Sequence, residues 1–192
     1  MNVRWMVVGC ALASLAGCAG NPMVELPAGP VTVGALQLDA DAGWNAGGNK
    51  LLWTQDGPRL DALLIYADIH DGEPLEKKAP KQAAYPPFRS NMLPNEIVAV
   101  VESTLTKVFG EGAAVVTSSG LKPQNFGSHK GFAFELAVAA AHGPDYRGIV
   151  GGFVANGTLQ IVVYLGAVPY YFDLRRDSAA RVIASARLAA GS

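Results

Sequence analysis

Cysteine is almost absent from this chain of 192 residues, which contains only Cys10 and Cys18. Both lie close to the N-terminus, so the chain that follows Cys18 can form no disulfide and carries no thiol. Thiol catalysis, cysteine-based zinc sites and disulfide exchange are therefore excluded for that part of the chain.

Charge is also scarce, since Asp, Glu, Lys and Arg together make up 16% of the residues. The 15 basic and 16 acidic residues give a net charge of −1, which provides no concentrated basic surface for nucleic acid. Hydrophobic residues reach 50%, a composition that excludes a disordered chain and predicts a substantial core.

Sequence motifs for catalysis are missing as well. The histidines at positions 70, 129 and 142 have no helical i, i+4 spacing, and neither H-E-x-x-H nor G-x-S-x-G occurs. Ser128 and His129 are adjacent, but neighbouring residues of an extended chain point to opposite sides. We therefore predict a protein that is not an enzyme and that holds no cofactor or metal.

Three aspartates lie in the first predicted loops at positions 39, 41 and 56. The Asp39-Ala40-Asp41 spacing lacks the glycine and the final glutamate of a calcium-binding loop. We predict solvated acidic turns.

The N-terminal segment has the three parts of a secretory signal. Arg4 precedes an uncharged, mostly apolar run from Met6 to Ala16, and small residues follow it. A membrane span needs roughly 20 apolar residues, so this run is too short for one. We predict a signal peptide over residues 1–17.

Residues Leu15, Ala16, Gly17 and Cys18 close this run and resemble the lipobox of bacterial lipoprotein precursors. The resemblance implies that Cys18 receives a diacylglyceryl group and becomes the first residue of the mature chain, with N-acylation to follow. Two or more acyl chains anchor a protein firmly. Because Ala19 and not Asp follows Cys18, the resemblance implies the outer membrane and its periplasmic face. The alternative is a secreted protein that is cleaved nearby.

Residues 18–30 contain three prolines and read as a flexible tether, and residues 31–192 then form a single domain. Strands are predicted over Val31–Leu38, Lys50–Thr54 and Arg59–Ile69. A long loop follows over His70–Arg89, and then a helix over Pro94–Phe109.

The second half of the domain reads as hairpins followed by a helix. Asn156-Gly157 is a strong signal for a type I′ turn. Strands are predicted over Ala113–Ser118, Gly131–Ala141, Tyr146–Ala155 and Thr158–Ala167, with a polar loop at 119–130 and a final helix over Asp173–Leu188. We predict an α+β fold with an antiparallel sheet of six or seven strands and two packed helices.

This order of elements resembles the PsbP-like α/β/α sandwich. The resemblance is carried by the segments Tyr66-Ala67-Asp68, Met92-Leu93-Pro94-Asn95-Glu96, Gly131-Phe132-Ala133-Phe134-Glu135 and Ser185-Ala186-Arg187. It covers about Val31 to Leu188, and it implies a protein that binds or assists other proteins.

The long loop holds the candidate contact surface, because it combines a basic cluster with aromatic residues and a stiff proline-rich backbone. The candidate residues are Lys77, Lys78, Lys81, Tyr85 and Phe88. The alternative is a solvated loop whose aromatic side chains fold back over the core.

These observations predict a periplasmic lipoprotein that is anchored to the membrane through Cys18 and binds a protein partner or supports assembly. One alternative is a small-molecule or lipid carrier, which needs an apolar cavity between sheet and helices. Another is a hydrolase or metal-dependent enzyme, in which His70, His129 and His142 would have to converge.

Overall fold

The computed structural model describes residues 22–77 and 84–190. The predicted signal peptide and Cys18 lie outside these ranges, as do Lys78 and Lys81. In chain order the elements are β1 (Val24–Glu25), β2 (Gly29–Val33), β3 (Leu36–Ala40), β4 (Asn45–Ala46), β5 (Leu52–Thr54), β6 (Asp61–Ile69), α1 (Pro94–Phe109), β7 (Ala114–Phe126), β8 (His129–Ala140), β9 (Tyr146–Ala155), β10 (Thr158–Ala167), α2 (Tyr171–Ala184) and β11 (Arg187–Leu188).

Eight of these strands form one antiparallel sheet in the order β1-β4-β5-β6-β10-β9-β8-β7. A second sheet of three strands has the order β11-β3-β2. The predicted α+β class with a large antiparallel sheet and two helices is confirmed. Strand β10 joins the two halves of the large sheet, because it pairs with β6 on one side and β9 on the other.

The large sheet is covered on both faces, as the alternation along β10 demonstrates. Ile161 and Val163 share a core cluster with the buried side of α1, while Val162 and Tyr164 share one with α2 and the small sheet. Successive residues of a strand point to opposite faces, so β10 contributes to both cores at once. The result is a layered structure with one helix on each side of the sheet.

Helix α1 has the bounds predicted from its sequence. Pro94 occupies the first turn, where a missing N–H costs nothing. The Glu96 side chain accepts a 2.7 Å hydrogen bond from the backbone N–H of Leu93, and Gly110 ends the helix with φ of +103°. The hairpin of β9 and β10 also has its predicted bounds, because Asn156 and Gly157 take the positive φ values that a type I′ turn requires.

The strand predicted over Val31–Leu38 is wrong as a single element, because it is a hairpin of β2 and β3. Gly34 takes φ of +58° and turns the chain in the middle of the apolar run. Both arms have buried apolar residues, so hydrophobicity alone does not reveal the turn.

The polar loop predicted at 119–130 is largely strand, since β7 continues to Phe126. The register shifts between Ser119 and Lys122, and Gly120 in this bulge has φ of +66°. Strand β7 is at the edge of the sheet, where polar side chains and a proline are tolerated.

The predicted final helix ends earlier than Leu188. Helix α2 stops at Ala184, and Arg187 and Leu188 pair with Gln37 and Leu36 of the small sheet. The hydroxyl of Ser185 accepts a 2.8 Å hydrogen bond from the backbone N–H of Asp39, which binds the end of the helix to β3.

The fold begins before Val31, inside the segment predicted as a tether. Strand β1 pairs with β4, and Leu26 is buried while its N–H donates a 2.7 Å hydrogen bond to the carbonyl of Trp44. An apolar side chain and a paired backbone therefore hold this part of the segment against the domain. Over the described ranges, no helix combines the length and hydrophobicity needed to cross a bilayer.

Candidate binding groove

The two faces of β6 differ in how completely they are covered. Leu63 and Ile65 point to the face under α2 and the small sheet, and are exposed by 0% and 2%. Leu64 and Tyr66 point to the opposite face and are only half-buried. The face that carries Leu64 and Tyr66 is therefore incompletely covered.

A groove of about 610 Å³ lies at this face, along β5 and β6. We call it the β5–β6 groove. Its lining is mainly apolar and comes from five separate parts of the chain: Met23, then 47–49 with Leu51 and Leu52, then Pro58, then 64–67 with Ile69, and finally 75–77. Ligand sites are typically concave, mostly apolar and roughly 300–1,000 Å³ in volume, so the groove has the dimensions of a binding site.

The position of α1 explains why the groove is open. The buried side of α1 packs in one cluster with Phe132 and Phe134, and its main strand contact is with β7 at the far edge of the sheet. The opposite end of the same face, at β5 and β6, is left to the segment that follows Ile69. Among the described residues of that segment, Leu75 is buried beside the groove and Phe88 is buried in the same core cluster.

Among the described residues, the polar side chains that line the groove belong to Asn49, Tyr66, Glu76 and Lys77. Burial raises the pKa of the Tyr66 phenol above its ordinary value, and the nearby Glu76 carboxylate raises it further. The phenol is therefore neutral at any physiological pH and acts only as a hydrogen-bonding group.

Lys77 lies at the side of the groove, where a hydrogen bond and an ion pair fix its ammonium group. Its ammonium group donates a 2.7 Å hydrogen bond to the backbone carbonyl of Asp68 and forms a 2.8 Å ion pair with Glu73. The hydrogen bond from Lys77 lowers the pKa of Glu73, and one from the His70 N–H lowers it further. Lys77 thus contributes a fixed positive charge.

The predicted contact loop is closed at its base. The N–H of Phe88 donates to the carbonyl of Glu73, and the N–H of Gly72 donates to the carbonyl of Phe88, each at 2.8 Å. Of the five candidate contact residues, Lys77 is exposed and Tyr85 is half-buried.

Phe88 was predicted as a contact residue, and its position corrects that prediction. Its side chain is 0% exposed and belongs to the core cluster beneath α1. Burying a large aromatic ring in the core lowers the free energy more than exposing it at a loop surface does. Phe88 therefore anchors the loop to the core.

The three aspartates predicted as solvated acidic turns each form an ion pair instead, and Asp39 lies within β3 and not in a loop. Each binds an arginine near the C-terminus: Asp39 binds Arg187, Asp41 binds Arg181 and Asp56 binds Arg175. The partners are 119 to 148 residues apart in the sequence, so no local pattern could reveal the pairs.

The histidines do not converge. His129 starts β8, whereas His142 lies in the turn after its end, and a strand of this length separates them by about 40 Å. His129 stacks on Phe153 with ring centroids 5.3 Å apart. Among the described residues, no three His, Cys, Asp or Glu side chains are grouped as metal ligands.

Comparisons with known proteins identify the fold. No family model matches the chain, and no curated protein matches it. Among solved structures, the chain is similar to the solution structure of cyanobacterial PsbP (CyanoP) from Synechocystis sp. PCC 6803. The TM-score is 0.56 over 93% of this chain and 99% of that chain, at 11% sequence identity. The chain therefore has a PsbP-like fold, as its order of elements predicted.

Proposed function

We propose that this protein is a lipoprotein of the bacterial outer membrane that faces the periplasm and binds a partner protein without catalysing a reaction. The proposal of a lipid anchor is supported by the L-A-G-C sequence, which follows a short apolar run and ends at Cys18. Acyl chains on Cys18 would hold the domain at the membrane surface.

The surface beside the β5–β6 groove is the best candidate for the partner contact. It combines an apolar groove, the fixed charge of Lys77 and the half-buried ring of Tyr85, which lies near enough to Tyr66 of the groove to affect its phenol. Partner sites often combine apolar anchors with a polar rim, and aromatic residues are enriched in them. Tyr66 adds a neutral phenol to the groove, which can serve as a hydrogen-bonding group for a partner.

The anchoring is tested by replacing Cys18. The wild-type protein should incorporate labelled palmitate and pellet with outer membranes, whereas Cys18→Ala should incorporate none and be released. Equal labelling of both proteins would contradict lipidation at Cys18.

The partner contact is tested by photocrosslinking in living cells. A photoreactive phenylalanine analogue at Tyr85 should give one discrete adduct, which mass spectrometry identifies. The matched control is the same analogue at Leu174, which is 44% exposed on α2. Adducts of equal yield and pattern at both positions would exclude a specific contact beside the groove.

The second candidate function is a small-molecule or lipid carrier, and the apolar lining of the β5–β6 groove favours it. A carrier should retain its ligand through purification. Native mass spectrometry of the gently extracted protein would then detect a bound molecule, and a Leu64→Glu variant should lose it.

A further inference from the structure

The described chain enters the fold beside the β5–β6 groove. Met23 lines the groove, and its sulfur lies 3.9 Å from the position that a Cβ on Gly47 would take. Gly47 lines the groove too, and β1 begins immediately after Met23. Met23, near the start of the described residues, therefore lies at the edge of the groove.

Cys18 is five residues before Met23. A fully extended residue spans at most about 3.6 Å, so Cys18 can be no more than about 18 Å from Met23. Any group that is attached to Cys18 begins within that distance of the groove.

The chemistry of the groove suits a hydrocarbon chain. Leu51, Leu52, Leu64 and Leu75 supply aliphatic surface, and Tyr66 adds a neutral aromatic ring. Within residues 22–77 and 84–190, the charged residues that line it are Glu76 and Lys77. A saturated chain needs no hydrogen-bond partners, and it gains simply from leaving water.

We infer that the β5–β6 groove binds one acyl chain of the protein's own N-terminal lipid, an inference that rests on the proposed lipidation of Cys18. A bilayer interior and an apolar groove offer a hydrocarbon chain similar surroundings, so moving between them changes its free energy little. The short connection to Met23 then favours the attached acyl chain over free membrane lipids, because it gives the attached chain a high effective concentration at the groove.

The test places a photoreactive phenylalanine analogue at Leu51, which lines the groove and is 37% exposed. The full-length lipidated protein is placed in bilayer discs of phosphatidylethanolamine and phosphatidylglycerol, illuminated and digested. Mass spectrometry then identifies what the peptide containing residue 51 has captured. The control carries the analogue at Leu121, which is 43% exposed in the bulge of β7.

We expect the residue 51 peptide to be joined to the N-terminal lipopeptide of the same chain, at least tenfold above the control. Capture of phospholipid alone would overturn the inference, since the groove would then bind membrane lipid. No adduct above the Leu121 control would overturn it too. The mass of the N-terminal peptide is read in the same experiment, so an unlipidated Cys18 would show that the proposed function itself has failed.

Discussion

Arg175 on α2 binds Asp56 through two hydrogen bonds, 2.7 Å from Nε and 3.0 Å from Nη2, across 119 residues of sequence. The two side chains are 31% and 24% exposed, so the pair is partly shielded from water. It attaches the helix to the loop between β5 and β6. Arg181 with Asp41 and Arg187 with Asp39 continue this series of contacts.

Replacing Arg175 with Met should destabilise the protein by about 1 kcal/mol, because a paired, partly buried carboxylate loses its charged partner. Urea unfolding at pH 7 measures the loss. Arg176→Met is the matched control, since its 3.7 Å pair with Glu135 is about half exposed. A loss for the control equal to that for Arg175→Met would contradict a special role for the Asp56 pair.

The same pair predicts how stability depends on pH. The hydrogen bond from Arg175 lowers the pKa of Asp56 below its ordinary value of 3.8, and Arg187 does the same for Asp39. A carboxyl with a lowered folded-state pKa stabilises the fold above its unfolded pKa, and loses this effect as the pH falls through the folded-state pKa. The difference in unfolding free energy between wild type and Arg175→Met should therefore shrink below about pH 4. If the difference in unfolding free energy between the two proteins is as large at pH 2.5 as at pH 7, this prediction is contradicted.

Thr104→Val should stabilise the protein. The Thr104 hydroxyl is buried in α1, and it has no hydrogen-bond partner among the described residues. Valine has the same shape as threonine but no hydroxyl. The change therefore removes the cost of burying an unpaired hydroxyl, which is about 1 kcal/mol. We expect a rise in Tm of about 2–4 °C in a thermal scan. Thr106→Val is the control on the same helix, because its hydroxyl donates a 2.9 Å hydrogen bond to the carbonyl of Glu102 and its loss should give no gain.

Gly34→Ala should destabilise the protein by about 2 kcal/mol or more. A Cβ at Gly34 would overlap the carboxylate of Asp68, which accepts hydrogen bonds from the Ala35 N–H and from Gln160. Gly120→Ala separates this clash from backbone strain, since Gly120 has a similar φ of +66° and open space around it. Equal losses of unfolding free energy in the two variants would show that the contact with Asp68 is unimportant.

Phe88→Ala should cost about 3–5 kcal/mol, the usual loss for a fully buried aromatic ring. Tyr85→Ala should cost much less, because Tyr85 is half-buried. Calorimetry of both variants then separates folding from binding. A partner interaction that is lost in Tyr85→Ala at unchanged Tm would support the contact surface, while one that is lost only in Phe88→Ala would indicate unfolding.

Local signals predicted the elements that depend on local chemistry. The proline at the start of α1 and the Asn156-Gly157 turn gave correct bounds, because both act within a few residues. The turn at Gly34 was missed because apolar residues continue on both sides of it. The end of α2 was missed because Ala186 lies at helical spacing from Val182 and Ile183 and is buried as they are, although the helix already stops at Ala184.

The candidate site could be predicted from the sequence less completely than the helices and hairpins. The contact loop does form one wall of the β5–β6 groove, but the floor comes from β5 and β6 and the edge from Met23. Such a groove depends on where α1 lies on the sheet, and no local pattern encodes that placement. The burial of Phe88 could not be predicted for a similar reason, since its sequence neighbours do not reveal that it packs in one core cluster with the buried side of α1.

The central position of β10 has a consequence for the order in which the chain can fold. Strands β7 to β10 follow one another as neighbours, so they can form from local hairpins. Strand β6 can pair with the meander only after β10 is available, because residues 61–69 pair with residues 159–166, almost a hundred positions later. During synthesis the two halves of the large sheet therefore stay separate until β10 has emerged from the ribosome. Because β10 is the tenth of the eleven described strands, the large sheet is completed only late in synthesis, which is compatible with the proposed export of a chain that has not finished folding.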